Sequence, residues 1–272
     1  MKKILLSMLV VLMATGCSFT LNGKTDEENK DNTIENETYE SLSIDDSLVT
    51  ELYNKINYFS ITGPAGYNFS GYFYQKDSIT VDDMDNKAKI FLALNNAETT
   101  SDELEQTLFV SDSSMKQAME DLFGNVDYKN ESLSTPIGCG FSRAYYDESK
   151  KQYSIGVACG GTGFPYYKTK LIQARKYENK IEIYEKHLAI KIEQLVKENG
   201  YDVPKYSIYK KFVRNGKDCT EYECLVGNDT IAENVDLTEE QLENYMGKAD
   251  TYKYTFKLEN GKYHFYSAEK VK

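Results

Sequence analysis

YKYTFKLENGKYHFYSAEK, residues 252–270, is two alternating runs of side chains on either side of an Asn-Gly pair. Asn-Gly between alternating apolar positions is the strongest short hairpin signal, because both central residues of the tight turn need positive φ. Closing a two-residue turn at Asn260-Gly261 sets Leu258 against Tyr263 and Phe256 against Phe265. Tyr254 falls on the same face, while Lys253, Thr255 and Lys257 fall on the other. The apolar faces of the two runs coincide, as a real register requires. This end of the chain therefore forms an antiparallel hairpin with its core on one side.

Upstream, the same reading continues to about Val126, with β-branched and aromatic residues separated by turns. A second Asn-Gly, Asn215-Gly216, would face Phe212 with Cys219, Lys210 with Glu221 and Tyr209 with Tyr222. LIQARKYENKIEIYEKHLAI (171–190) reads as a hairpin turning at Glu178 to Lys180, with a bulge near Tyr184 where the alternation slips.

Before Val126 the spacing is helical. SIDDSLVTELYNKI (43–56) puts Val49, Leu52, Tyr53 and Ile56 on one face, behind Asp45 and Asp46. TVDDMDNKAKIFLALNN (80–96) does the same with Val81, Met84, Ala88 and Phe91, and Ile90, Leu92 and Leu94 widen that face. Thr100 with Glu103, Ser114 with Gln117, and Thr238 with Gln241 each fit a capping box. The second opens MKQAMEDLFG (115–124), which Gly124 ends. Helices gathered early and hairpins gathered late predict an α+β fold, N-terminal helices packed on a curved antiparallel sheet, of the cystatin-like or NTF2-like kind.

The first residues carry a different message. Lys2 and Lys3 precede an apolar run, Ile4 to Met13, too short to span a bilayer but suited to a secretory signal. Ala14-Thr15-Gly16-Cys17 follows. This stretch resembles the lipobox of bacterial lipoprotein precursors. The resemblance covers residues 1–17 alone and implies cleavage between Gly16 and Cys17, with a diacylglycerol on the Cys17 sulfur. Two acyl chains hold a protein on a bilayer without a spanning helix. The segment from Ser18 to Ser41 is rich in Asp, Glu, Asn and Thr and has no periodic pattern. Such composition cannot offset its ordering entropy, so residues 17–41 read as a disordered acidic tether. NGKT (22–25) within it lacks the upstream glycine and strand of a phosphate loop. The expected organisation is a signal peptide over 1–16, the tether, and a single domain over 42–272, mainly helical over 42–125 and mainly strand over 126–272.

The chain of 272 residues carries a net charge of −11, and loss of Lys2 and Lys3 makes it two units more negative. That balance argues against nucleic acid and against electrostatic attachment to anionic lipid. Membrane contact is then expected through the lipid on Cys17, placing the domain at the extracytoplasmic face of the cell membrane. The 23 tyrosines, without a tryptophan, fit an AT-rich genome.

Four cysteines remain: Cys139, Cys159, Cys219 and Cys224. Exported domains generally spend paired cysteines on disulfides. GCGFSRAYYDESKKQYSIGVACGG (138–161) reads as a hairpin centred on Ser149, which sets Cys139 opposite Cys159 within bridging distance. Cys219 and Cys224 are five apart, so a bond between them needs a turn or bulge within CTEYEC. A four-thiol metal site would want closer cysteine pairs.

No catalytic motif, metal site or cofactor signature emerges. His264 falls on the polar face of the last hairpin, opposite Lys257, as a solvated residue. His187 has no acidic or thiol partner at defined spacing, and a Cys159–His187 pair would require Cys159 free. DDMD (82–85) lacks the glycine and distal glutamate of a calcium loop and suits a helix amino end instead. CGGTGF (159–164) precedes no helix pattern, so its glycines suit a tight turn. Tyr145, Tyr146, Tyr166 and Tyr167 border that loop as candidate ligand contacts. The expectation is a non-catalytic, lipid-anchored surface module with an unknown ligand or envelope partner. The alternatives are an exported thiol-dependent enzyme using Cys159 or Cys219, and a solute-binding lipoprotein of a transporter, which would want two α/β lobes.

Overall fold

The computed structural model describes residues 37–60, 69, 71–102, 107–135, 142–156, 165–214 and 225–271. In chain order the elements begin with β1 (Glu40–Leu42), α1 (Ser47–Ile56), β2 (Ser78–Thr80), α2 (Asn86–Asn96), β3 (Thr100–Asp102) and β4 (Thr107–Ser111). Then come α3 (Asp112–Phe123), β5 (Leu133–Thr135), β6 (Ser142–Asp147), β7 (Gln152–Gly156) and β8 (Tyr166–Lys176). The last are β9 (Lys180–Glu198), β10 (Tyr201–Arg214), β11 (Leu225–Val235), α4 (Glu239–Gly247), β12 (Thr251–Glu259) and β13 (Lys262–Lys270).

The large sheet is organised around β9. Along one edge β8 pairs with it from Ile181 to Ile190. Its other edge is long enough to serve two neighbours: β12 takes Lys180 to Lys186, and β10 takes Ala189 to Glu198. β13 and β2 extend the sheet beyond β12, β11 beyond β10, and β1 beyond β8, all antiparallel. A second sheet has the order β3-β4-β7-β6-β5.

The opening hairpin forms in the expected register, with Leu258 facing Tyr263, Lys257 facing His264 and Phe256 facing Phe265. Asn260 and Gly261 both take positive φ, 52° and 80°, as the tight turn demands. A bulge follows between Thr255 and Phe256. The bulge expected near Tyr184 lies across from it, between Leu171 and Gln173 of β8.

The expected arrangement of N-terminal helices over one curved sheet of hairpins, cystatin-like or NTF2-like, does not form. Strand dominates, in two sheets, and β1 to β4 interleave with α1 to α3. A fourth helix, α4, lies late in the chain. Short strands account for the miss, since three residues of edge strand leave no periodic trace. Thr100, expected to open a helix, begins β3. Ser111, not Ser114, caps α3, accepting from the Ser114 N–H at 3.1 Å. α2 starts at Asn86, because Ser78–Thr80 pairs with β13 and the residues between form a turn. The capping box of Thr238 and Gln241 is formed at the start of α4.

Asn215-Gly216 does not set its hairpin's register either. Phe212 faces Gly227 rather than Cys219, and Tyr209 faces Thr230 rather than Tyr222. Residues 215–224 lie outside the described residues, so Cys219 and Cys224 do too. In the β6–β7 hairpin Asp147 faces Gln152, so the turn is centred one half-step beyond Ser149. Cys139 and Cys159 lie outside the described residues.

Glu37–Lys272 forms one compact unit. Glu37–Ser41, assigned above to the tether, make contacts there: Glu37 pairs with Lys180 at 2.7 Å, and Tyr39 packs 5.6 Å from Tyr177. The main core joins α1, α2 and α3 with both sheets through Leu52, Leu92, Met119, Val110, Tyr153 and Phe256. Phe73 is central, 4.7 Å from Phe59, 5.1 Å from Phe265 and 5.5 Å from Tyr254. A smaller cluster of Leu188, Ile190 and Ile208 packs with Met246 of α4.

Candidate functional site

A cleft of about 740 Å³ opens between α1, α3, the end of α2 and the β12–β13 turn. Each wall follows from local sequence. Asp46 caps α1 by accepting from the Leu48 N–H at 2.8 Å, and Val49, Leu52 and Ile56 turn to the core. That leaves Leu48, Glu51 and Lys55 toward the cleft. On α3, Met115, Met119 and Leu122 anchor the helix, while Ser113, Ser114, Gln117 and Asp121 look outward into the same space. Gly124, at φ 69°, stops that helix. The turn contributes Gly261, Lys262 and Tyr263.

The cleft's charges are largely paired with one another. Lys262 donates to Asp121 at 2.8 Å, tying the turn to α3 and holding the Asp121 carboxyl below the usual range. Lys55 pairs with Glu51 at 3.1 Å across one helical turn. Asn96 at the end of α2 donates to the Lys55 carbonyl at 3.0 Å and so joins α2 to α1. Glu98, exposed at the rim, has no such cation among the described residues.

A second cluster is closed to solvent. β9 sends Ile181, Ile183, Glu185, His187 and Ala189 into the main protein interior by strand alternation. The Glu185 carboxyl, fully buried, accepts from the hydroxyls of Tyr74 at 2.7 Å, Tyr254 at 2.9 Å and Tyr53. Burial pushes its pKa up, and the three hydroxyls only partly offset this. His187 stacks on Tyr74 at 3.5 Å and 9°, with Nδ1 unpartnered among the described residues. Burial lowers its pKa to about 3. Glu185 and His187 join α1, the Tyr72–Gln75 3-10 turn and β12 to β9, which is the work of a positioning cluster and not of a solvent-reached active site.

The other expected site residues scatter. Tyr145 and Tyr146 lie on β6 of the second sheet, where the Tyr146 hydroxyl donates to Asp112 at 3.2 Å. Tyr166 and Tyr167 lie on β8 of the large sheet. Tyr167 is buried 5.0 Å from Tyr74 and accepts from the Phe212 N–H at 2.9 Å. The four tyrosines thus stand on two separate sheets. His264 is half-buried beside Gly124, with Nδ1 covered and unpartnered among the described residues, rather than solvated. In DDMD, Asp85 caps α2 and Asp83 accepts from Thr80, so these acids precede the helix instead of filling its first turn. Gly16, Cys17 and the loop 159–164 lie outside the described residues.

The sequence reading missed both clusters. Glu185 does have a signal: a carboxylate in the inward register of IEIYEKHLAI, between Ile181 and Ile183 on one side and His187 and Ala189 on the other. The cleft has none, because its residues run from Leu48 to Tyr263. No group of three or more His, Cys, Asp or Glu among the described residues could hold a metal ion. Among them, too, no helix is long and apolar enough to cross a membrane. No protein-family model, curated protein or solved structure matches the chain.

Proposed function

We propose that this chain is a lipid-anchored extracytoplasmic binding module, held at the cell membrane by a diacylglycerol on Cys17, with the α1–α3 cleft as its ligand site. The observation that carries the anchor is the apolar leader ending in Ala14-Thr15-Gly16-Cys17. The cleft supports the binding half: it is open, its lysines pair with its own carboxylates, and none of its described lining residues is a cysteine or histidine. His187, neutral and buried, weighs against a thiol enzyme that uses it as a base.

Mass spectrometry of the amino-terminal peptide from the native protein tests the anchor. A diacylglyceryl mass on Cys17 and release of Cys17→Ser into the medium are expected. An unmodified cysteine, or a retained leader with unchanged membrane fractionation, would overturn it.

A further inference from the structure

We propose that the cleft takes an uncharged oligosaccharide, a stretch of envelope glycan. This names a ligand for the site proposed above and so rests on that reading. Charge argues the class by elimination. Both lysines of the cleft already pair with its own carboxylates, Lys55 with Glu51 and Lys262 with Asp121, so a polyanion would have to compete for each ammonium. A cationic ligand would find one carboxylate without a cation, Glu98, and that one is exposed. An exposed single charge yields little binding energy.

What remains free suits a polyol. The Gln117 amide donates one N–H to Asp121 at 2.9 Å, which leaves its second N–H and its carbonyl oxygen for a ligand. The Asn96 nitrogen is committed to the Lys55 and Leu92 carbonyls, and its oxygen is left over. Carboxylate oxygens of Glu98 add acceptor-only positions. A sugar's hydroxyls both donate and accept, so they can serve these acceptors together with the remaining Gln117 N–H. Tyr263 supplies an aromatic ring and Leu48 an aliphatic surface for the C–H faces of the rings. Binding sites for small molecules run from about 300 to 1,000 Å³, and this cleft lies well inside that range. It has room for more than one sugar ring.

Isothermal titration of the full-length lipidated protein in detergent tests this, with chitotetraose and maltotetraose as neutral probes and tetralysine and tetraglutamate as charged ones. Saturable binding of a neutral tetrasaccharide is expected. It should weaken at least tenfold in Gln117→Ala, and stay unchanged in Glu193→Gln on the far half of β9. Tyr263→Leu provides a second variant that keeps the apolar packing and removes the ring. If neither sugar binds, or if binding is indifferent to the cleft variants, the proposal fails. If a charged tetrapeptide binds in preference and the same variants weaken it, the cleft remains a binding site and the glycan assignment falls. The fate of the anchor is read separately, from the mass of the Cys17 peptide.

Discussion

Glu182 and Glu185, three residues apart on β9, point to opposite faces of one sheet and are held in opposite ways. Burial alone would raise the Glu182 carboxyl, but the Tyr184 hydroxyl at 2.8 Å and the ammoniums of Lys253 and Lys180, each at 3.4 Å, outweigh it. Glu182 is thus kept below the usual carboxylate range. Glu185 has three tyrosine hydroxyls and no bonded cation among the described residues, and burial lifts it above that range.

A pH dependence follows for Glu185. Its folded pKa lies above the unfolded value, so its contribution to stability is complete below about pH 4.5 and declines as pH rises through the folded pKa. Glu185→Gln cannot ionise. Urea unfolding from pH 4 to pH 8 should show the variant weaker than wild type in acid, with the gap narrowing toward pH 8. A gap that widens with pH would contradict the burial argument.

His187 runs the other way. Its pKa is depressed to about 3, so its contribution is present above the ordinary histidine value near 6.5 and is lost as pH falls from there toward 3. Folded protein should show no titration of the His187 ring protons between pH 5 and pH 8 by NMR. A midpoint between 6 and 7 would mean the ring reaches water.

Gly71 takes φ 66°, and a Cβ there would stand 2.3 Å from the Tyr167 hydroxyl. The neighbour is the body of a buried ring that also accepts from Phe212, so it has little room to move. Gly71→Ala should cost about 1–3 kcal/mol from overpacking alone. Combined with Tyr167→Phe, the two changes should be non-additive by about 0.5–3 kcal/mol, as expected for residues in contact. Additive losses would place the strain elsewhere.

Removal of the Phe73 ring should cost about 3–5 kcal/mol in Phe73→Ala, since it touches aromatic partners from three parts of the chain. Tyr201, 77 % exposed at the far end of β10, is the contrast: Tyr201→Ala should shift stability by no more than about 0.5 kcal/mol. Thermal denaturation of the two variants side by side separates the cases.

How much of this could be read beforehand differs from element to element. At Asn260-Gly261 the local turn and the tertiary pairing agree, so the register was legible from residue 252 onward. At Asn215-Gly216 the same dipeptide loses. β10 is aligned along β9 from Tyr209 to Tyr201, and its pairing with β11 sets Arg214 opposite Leu225. Nothing local could reveal that β9 has one edge shared by β12 and β10. The buried faces of α1 and α3 were legible because 3.6-residue spacing is written along one segment. The three-residue strands β1, β2 and β3 were not, since their pairing depends on partners up to 191 positions away, as with Ser78 and Glu269 opposite it. Tyr167 and Tyr74 show the same limit: abundance of tyrosine says nothing about which ring is interior.

The shared edge of β9 also sets an order of events as the chain emerges from the amino end. β8, β9 and β10 appear first and can pair as successive hairpins. The Lys180–Lys186 edge must wait for Thr251–Lys257, more than fifty residues later. Through that interval the nascent chain carries a bare strand edge, a template for pairing with another copy. A polypeptide halted after Val235 would keep that edge open permanently and lack Tyr254, Phe256 and Phe265 from its interior, so arrested chains of this length should self-associate rather than fold.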